Sequence, residues 1–265
     1  MIPLIKGEIT RLRSTRLPLW ALLAAVASGA GLTGILSLTG PENATPAMPG
    51  IDTAQGAGLV VGIAGLLLFV PALIGTIAVT GEYRHRTIGT TFLVAPKRSR
   101  VLAAKLLVYG LCGVCYGAIA STASAVALLG AAAVRGVDLA IAPGSLLFLL
   151  AKLAIAAAVY MVLGVAIGAL ARHQLVAVGI VLGYFYFLEY VLMIIPGVNS
   201  IYAFLPGGAT ASLTSFTFLT DTVADQTSSG ILAPLPPLGG ALVLLGYASV
   251  AAAIAAVVPL RRDLT

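Results

Sequence analysis

Six apolar runs, each long enough to cross a bilayer, take up most of this chain of 265 residues. An α-helix rises 1.5 Å per residue, so about 20 apolar residues cross a hydrocarbon core of ~30 Å. Hydrophobic residues make up 60% of the chain and charged residues 9%, which excludes a soluble globular domain. The sequence therefore predicts an all-α polytopic membrane protein, one transmembrane domain over residues 1–265, with six transmembrane helices at 17–38, 57–79, 102–134, 144–170, 175–195 and 238–260.

Residues 1–16 have the pattern of a basic amphipathic helix. Ile2, Ile5, Ile9 and Leu12 follow one another at spacings of three and four, and basic residues lie between and after them. Such a helix is expected to lie at the membrane surface, although an unstructured leader is an alternative. A signal peptide fits less well, because the apolar run that follows is as long as a complete span.

The basic residues are divided very unevenly among the segments that connect the spans. Thirteen of the 15 lie in the amino-terminal segment, after the second span, after the fourth span or at the carboxyl terminus. The remaining connections hold one base, Arg135, and five acids, Glu42, Asp52, Asp138, Asp221 and Asp225. By the positive-inside rule, both termini are predicted to be cytoplasmic in a cell membrane. This distribution also accounts for the net charge of +6 without a nucleic-acid partner.

The most basic connection, Gly81–Lys105, follows the second span. Within it Ile88, Thr91, Phe92 and Ala95 fall at helical spacing, and Pro96 ends the pattern. The pattern predicts a short helix over residues 82–95, held against the inner membrane face.

The same segment resembles the type-2 (exporter-like) permease family of ATP-binding-cassette (ABC) transporters. The residues that carry the resemblance are Glu82, Thr87–Ile88, Phe92–Leu93, Pro96, Lys97–Arg98 and Lys105. One position departs from the family pattern, because Arg86 stands where glycine is common.

The resemblance implies that residues 82–95 form a coupling helix that docks into a separate ATPase subunit. The docking residues would then be Glu82, Tyr83, Arg84, Arg86, Ile88 and Phe92. ATP and magnesium would bind to the ATPase, and this chain would hold no cofactor. The resemblance also implies a second permease subunit, forming a homodimer within the membrane lipids, and export of an amphipathic small molecule, drug, peptide or lipid.

Residues 199–219 lie before the last span and contain two apolar pieces that are too short to cross a bilayer. They are separated by Pro206-Gly207-Gly208, so the sequence predicts short re-entrant or interfacial helices on the outer side. A similar pair of outer helices belongs to the layout of the type-2 permeases.

Two ionisable residues, Lys152 and Glu189, lie inside predicted spans, where such groups are expected to pair or face a cavity. Counted from the prolines at the outer span ends, they lie roughly 13 Å and 10 Å deep, at similar depth in antiparallel helices. A structural ion pair is the favoured interpretation, and a polar element of the translocation path is the alternative. Tyr184, Tyr186 and Tyr190 crowd the fifth span, where they could line a path or simply pack in core and interface.

Catalytic chemistry has no candidate residues in this sequence. No lysine follows a glycine, so the phosphate-binding Gly-xxxx-Gly-Lys-Ser/Thr motif is absent, and no acid/histidine cluster has the spacing of a metal site. The chain is therefore predicted not to be an enzyme. A permease subunit is favoured by the basic segment, whereas a self-contained secondary transporter or channel, or a membrane scaffold, remains as an alternative.

Overall fold

A computed structural model describes residues 1–85, 98–171, 173–227 and 234–257. All regular secondary structure in the described residues is helical, and none of these residues forms a strand. Six helices are long and apolar enough to cross a membrane, which confirms the predicted all-α class with six spans. They occupy Leu17–Thr39, Ala54–Arg84, Ser99–Arg135, Pro143–Ala171, Gln174–Ile194 and Pro237–Ala255.

The amino-terminal residues form a helix, α1 (Ile2–Ser14), which ends just before the first span, α2 (Leu17–Thr39). Gly40 ends α2 with φ of 86°, a conformation that glycine adopts without steric cost. Helix α1 packs against the third span, and its location at a membrane surface stays a prediction.

The second span is interrupted near its middle. It consists of α3 (Ala54–Gly62), a 3-10 segment (Ile63–Leu67) and α4 (Phe69–Arg84). Pro71 lies in the first turn of α4, where a helix needs no backbone N–H. A proline inside a helix is expected to kink it, and here the irregularity falls just before Pro71, as a change of helix type.

The third and fourth spans are the two longest helices, α5 (Arg98–Arg135) and α6 (Pro143–Ala171), and they pack closely against each other. With 38 residues, α5 is about 57 Å long, so it extends beyond a ~30 Å hydrocarbon core. Helix α6 lies at the centre of the bundle, since it also contacts α4 and the sixth span, α11 (Pro237–Val257).

Glycines allow the central helices to approach each other closely. A Cβ atom on Gly164 of α6 would overlap the backbone carbonyl of Ala72, and one on Gly117 of α5 would lie 2.6 Å from the Cα of Ala154. Small residues at such crossings are the usual basis of helix packing in membranes, where lipid is as apolar as the side chains.

Hydroxyl groups add hydrogen bonds between the spans. The Thr76 hydroxyl donates to the Gly164 carbonyl at 2.9 Å, and the Thr33 and Ser124 hydroxyls lie 2.7 Å apart. Each such bond satisfies a polar group that has no water partner in the hydrocarbon core. Together with the glycine contacts, they fix the rotation of the second, third and fourth spans.

The fifth span changes helix type twice. It runs as α7 (Gln174–Val181), a π-helical stretch (Leu182–Leu188) and α8 (Glu189–Ile194). The chain then forms a 3-10 turn (Asn199–Phe204), α9 (Pro206–Thr214) and α10 (Phe218–Thr227) before the sixth span. Helix α9 packs against α11 and α6, so it belongs to the body of the bundle.

Candidate functional site

Four charged side chains meet at the end of the bundle that holds α1; we call Glu8, Arg11, Glu82 and Lys105 the charge cluster. The Lys105 ammonium donates to Oε1 of Glu8 at 2.5 Å and also to Glu82. Arg11 forms an ion pair with Glu82 and donates from Nη2 to the Ala78 carbonyl at 2.8 Å. Glu8, Glu82 and Lys105 are buried, at 7%, 2% and 2% exposure.

Among the described residues, the charge cluster is electrically neutral, because two carboxylates face two cations. Burial of an unpaired charge is costly, whereas mutual pairing with good geometry offsets most of that cost. The contacts therefore hold three elements in one arrangement: α1, the last turn of α4 and the start of α5.

The charge cluster lies where the chain leaves and re-enters the bundle around the basic segment. Glu82 is in the last turn of α4, and Lys105 is in the second turn of α5. Residues 86–97, which connect these helices, lie outside the described residues. Both attachment points of this connection are thus fixed by the same set of ion pairs.

Three of the predicted docking residues belong to the second span itself. The sequence predicted a separate helix starting at Glu82, but α4 continues to Arg84. Glu82 faces Lys105 and is 2% exposed, so it lies inside the end of the second span and not at the start of a separate helix, and its part in docking stays a prediction. The difference arises because Glu82 and Lys105 face each other across α4 and α5, which the linear sequence does not reveal.

The other predicted docking residues have different surroundings. Tyr83 is half-buried against the core, whereas Arg84 is exposed and donates to Oε1 of Gln174 at 3.3 Å. Arg86, Ile88 and Phe92 lie outside the described residues, so their part in docking stays a prediction.

Glu8 is the cluster residue that the sequence reasoning missed. It lies three residues after Ile5 and four before Leu12, so it shares the apolar face of α1 with them. A lone acid on the buried face of a basic helix was the signal that could have predicted an internal partner.

The predicted ion pair between Lys152 and Glu189 is wrong. The Lys152 ammonium lies 4.6 Å from the centre of the Phe148 ring, a cation–π contact, and forms no ion pair with any residue in the described part of the chain. Oε2 of Glu189 instead accepts a hydrogen bond from the backbone N–H of Gly207 at 2.7 Å. Similar depth did not bring the two groups together, because they lie on helix faces that point in different directions.

The three tyrosines of the fifth span lie in different environments. Tyr186 is exposed and its ring lies 5.2 Å from that of Phe69 in the second span. Tyr184 packs edge-on against Phe185, and Tyr190 lines a small cavity beside Glu189. Their part in a path stays a prediction.

At the opposite end of the bundle, Arg135 connects the end of the third span to the end of the first span. It forms an ion pair with Glu42 and donates to the Ser37 carbonyl at 3.1 Å. The pKa of the Glu42 carboxyl lies below its usual value, because its own backbone N–H and then Arg135 stabilise the charged form. These contacts are largely exposed, so they contribute less than the charge cluster.

Residues 4–188 match the sequence model of the family described as ABC-2 family transporter protein. The chain belongs to this ABC-2 family. The matched residues include most of α1, the first four spans and most of the fifth, and therefore the whole charge cluster. The membership supports a permease subunit of an ABC transporter, a component that is generally not catalytic.

The ABC-2 match ends at Leu188, one residue before Glu189. Glu189, α9, α10 and the sixth span are thus outside the matched part of this ABC-2 chain. No curated protein matches the chain. Among the described residues, no group of three or more His, Cys, Asp or Glu side chains could hold a metal ion.

Proposed function

We propose that the chain is the permease subunit of an ABC exporter, driven by a separate ATPase subunit that binds ATP and magnesium. The observation that carries the proposal is the position of the charge cluster, at both attachment points of the basic connection in an ABC-2 protein. Both termini and this connection face the cytoplasm of the cell membrane, as the distribution of basic residues favours.

In this proposal, residues 86–97 bind in a cleft of the ATPase, with Ile88 and Phe92 as apolar anchors. A movement of this connection is transmitted to the adjoining ends of α4 and α5, which carry Glu82 and Lys105. The ion pairs of these two residues with Glu8 and Arg11 then transmit the movement to α1. The three helices therefore move as one unit when the ATPase changes shape.

A second copy of the chain completes the transport path as a homodimer. The aromatic pair of partly buried Phe69 and exposed Tyr186 joins the second and fifth spans, and this face supplies a surface for amphipathic substrates, whether small molecule, drug, peptide or lipid. In the same proposal, Tyr184, Tyr190 and the surrounding lipids help to shape this path.

The decisive experiment compares Phe92→Ala with Phe187→Ala, an exposed aromatic residue of the fifth span, after reconstitution with the ATPase. Phe92→Ala is expected to leave the permease folded and inserted but to lower substrate-stimulated ATP hydrolysis at least tenfold, which corresponds to about 1.4 kcal/mol of a lost anchor. Phe187→Ala should leave the rate of substrate-stimulated ATP hydrolysis unchanged. Transport by the purified chain in liposomes without any ATPase would show a secondary transporter instead.

The orientation of the chain across the membrane is tested in a variant in which Cys112 and Cys115 are replaced by alanine. Ser99→Cys, close to the charge cluster, should react with an impermeant thiol reagent only after cells are opened. Asp52→Cys, an exposed position at the opposite end, should react in intact cells. Labelling with the reverse preference would contradict the proposed orientation.

A further inference from the structure

The carboxylate of Glu189 is buried, and one of its two oxygen atoms has no hydrogen-bond partner among the described residues. The side chain is 2% exposed, and its Oε2 accepts the hydrogen bond from Gly207. Oε1 accepts no hydrogen bond from any described group, and no described cation lies within ion-pair distance. A buried group of this kind requires a positive partner or must lose its charge.

Oε2 of Glu189 faces the amino-terminal end of a helix. Gly207 lies in the first turn of α9, a helix of nine residues that begins at Pro206. The N–H groups and the positive end of the helix dipole at this position stabilise an anion. Gly207 also allows the close approach, because a Cβ atom there would overlap Oε2 of Glu189.

A cavity of about 30 Å³ adjoins the carboxylate. Its walls include Glu189, the ring of Phe185 and six side chains that carry a hydroxyl group: Tyr160, Tyr190, Tyr202, Thr210, Thr214 and Thr220. The Thr210 hydroxyl lies 3.4 Å from the Tyr160 hydroxyl, so oxygen atoms converge on this space. The volume suits a bare ion or a single ammonium group, and the remainder of a larger molecule would lie outside the cavity.

We propose that this site binds one small monovalent cation. A single carboxylate balances one positive charge, whereas a divalent ion would leave a net charge buried and usually requires several carboxylates. The hydroxyl oxygens suit a sodium ion, and the aromatic rings suit an ammonium group. The cation is either an inorganic ion or the primary ammonium group of a transported molecule.

The inference goes beyond the proposed function, since cation binding needs neither the ATPase nor ATP. The site also lies beyond residues 4–188, the part of the chain that matches the family. It joins the fifth span to α9, so an occupied site would hold these two elements together.

The test measures binding of radioactive sodium and of radiolabelled methylammonium to the purified full-length chain in detergent, with choline as the supporting cation. Choline is too large for the cavity. We expect saturable binding of one of the two ligands, close to one per chain. Sodium that methylammonium cannot displace identifies an inorganic ion, and methylammonium that sodium cannot displace identifies a substrate ammonium group.

Three variants connect the binding to this site. Glu189→Gln keeps an acceptor for Gly207 but removes the charge, and it should abolish binding. Thr210→Val removes one oxygen while nearly keeping the side-chain volume, and should weaken binding about tenfold. Glu42→Gln, an exposed acid at the same end, should bind as the unaltered chain does.

The proposal fails if neither ligand shows saturable binding, or if Glu189→Gln binds as well as the unaltered chain. Helix content and elution volume check that each variant is folded. If Glu189→Gln does not fold, Thr210→Val and Glu42→Gln decide: equal affinities in these two variants would also overturn the proposal.

Discussion

Replacement of Lys105 by methionine tests the charge cluster most directly. Methionine fills a similar volume, so the main effect is the loss of a positive charge between the Glu8 and Glu82 carboxylates. The cluster then carries a net charge of minus one, with Arg11 as its remaining cation. Because Lys105 and both carboxylates are buried, we expect the free energy of unfolding to fall by about 3–5 kcal/mol.

A second substitution that restores neutrality, Glu82→Gln, should recover part of the lost free energy of unfolding. Glu82→Gln alone leaves an excess positive charge and should also destabilise the chain by about 3–5 kcal/mol. Lys105→Met with Glu82→Gln restores neutrality, so the double variant should be about 2–3 kcal/mol more stable than the sum of the single changes predicts. Lys152→Met, which removes a lysine without a carboxylate partner, supplies the control and should add to Glu82→Gln without coupling.

Unfolding in mixed detergent micelles can be followed by circular dichroism and by the fluorescence of Trp20, the single tryptophan of the chain. Trp20 lies in the first turn of α2, next to α1, so its signal reports on the junction that the cluster holds. A coupling energy between Lys105 and Glu82 below about 0.5 kcal/mol would refute the electrostatic reasoning. It would mean that water or local movement already screens the charges.

Three further results are expected. Gly164→Ala should lower the free energy of unfolding by about 1–3 kcal/mol, because its Cβ atom would overlap a backbone carbonyl of the second span, whereas Gly179→Ala, with open space around it, should have little effect in the same assay. Gly207→Ala should expose α9 to proteolysis by displacing the buried carboxylate, and Gly183→Ala should not. Since the pKa of Glu42 is lowered in the folded chain, this carboxylate stabilises the fold above the ordinary carboxyl pKa, and the contribution is lost as the pH falls through the lowered pKa. Glu42→Gln should therefore reduce the dependence of the free energy of unfolding on pH in the acidic range.

Hydrophobic length alone predicted the six spans, because the bilayer sets how many apolar residues a helix needs. The interruption of the second span has a local signal in the sequence, Pro71, because a proline inside a helix disturbs its hydrogen bonding. The π-helical stretch Leu182–Leu188 had no such signal, since its residues are compatible with an ordinary helix. Its geometry depends on packing against neighbouring helices, which a linear pattern does not contain.

The rotation of each helix limited the prediction of the sites. Depth could be counted along the sequence, so Lys152 and Glu189 could be placed at similar levels. The direction of each side chain depends on close contacts such as the one between Gly164 and Ala72. For the same reason Glu82 could be recognised as part of a motif, while its partner Lys105 could not be identified.

The charge cluster has a physical role that an apolar contact would fill poorly. Hydrophobic side chains at the same positions could stabilise the fold equally well, but they would permit α1 to slide or rotate at little cost. Four charges that must neutralise one another accept few arrangements, because any shift of α1 moves Glu8 away from Lys105 and Arg11 away from Glu82. If a partner docks at the basic connection, as proposed above, this restricted geometry would make α1, α4 and α5 move together. The same reasoning predicts that Lys105→Met/Glu82→Gln, although nearly restored in stability, transports poorly when reconstituted with the ATPase.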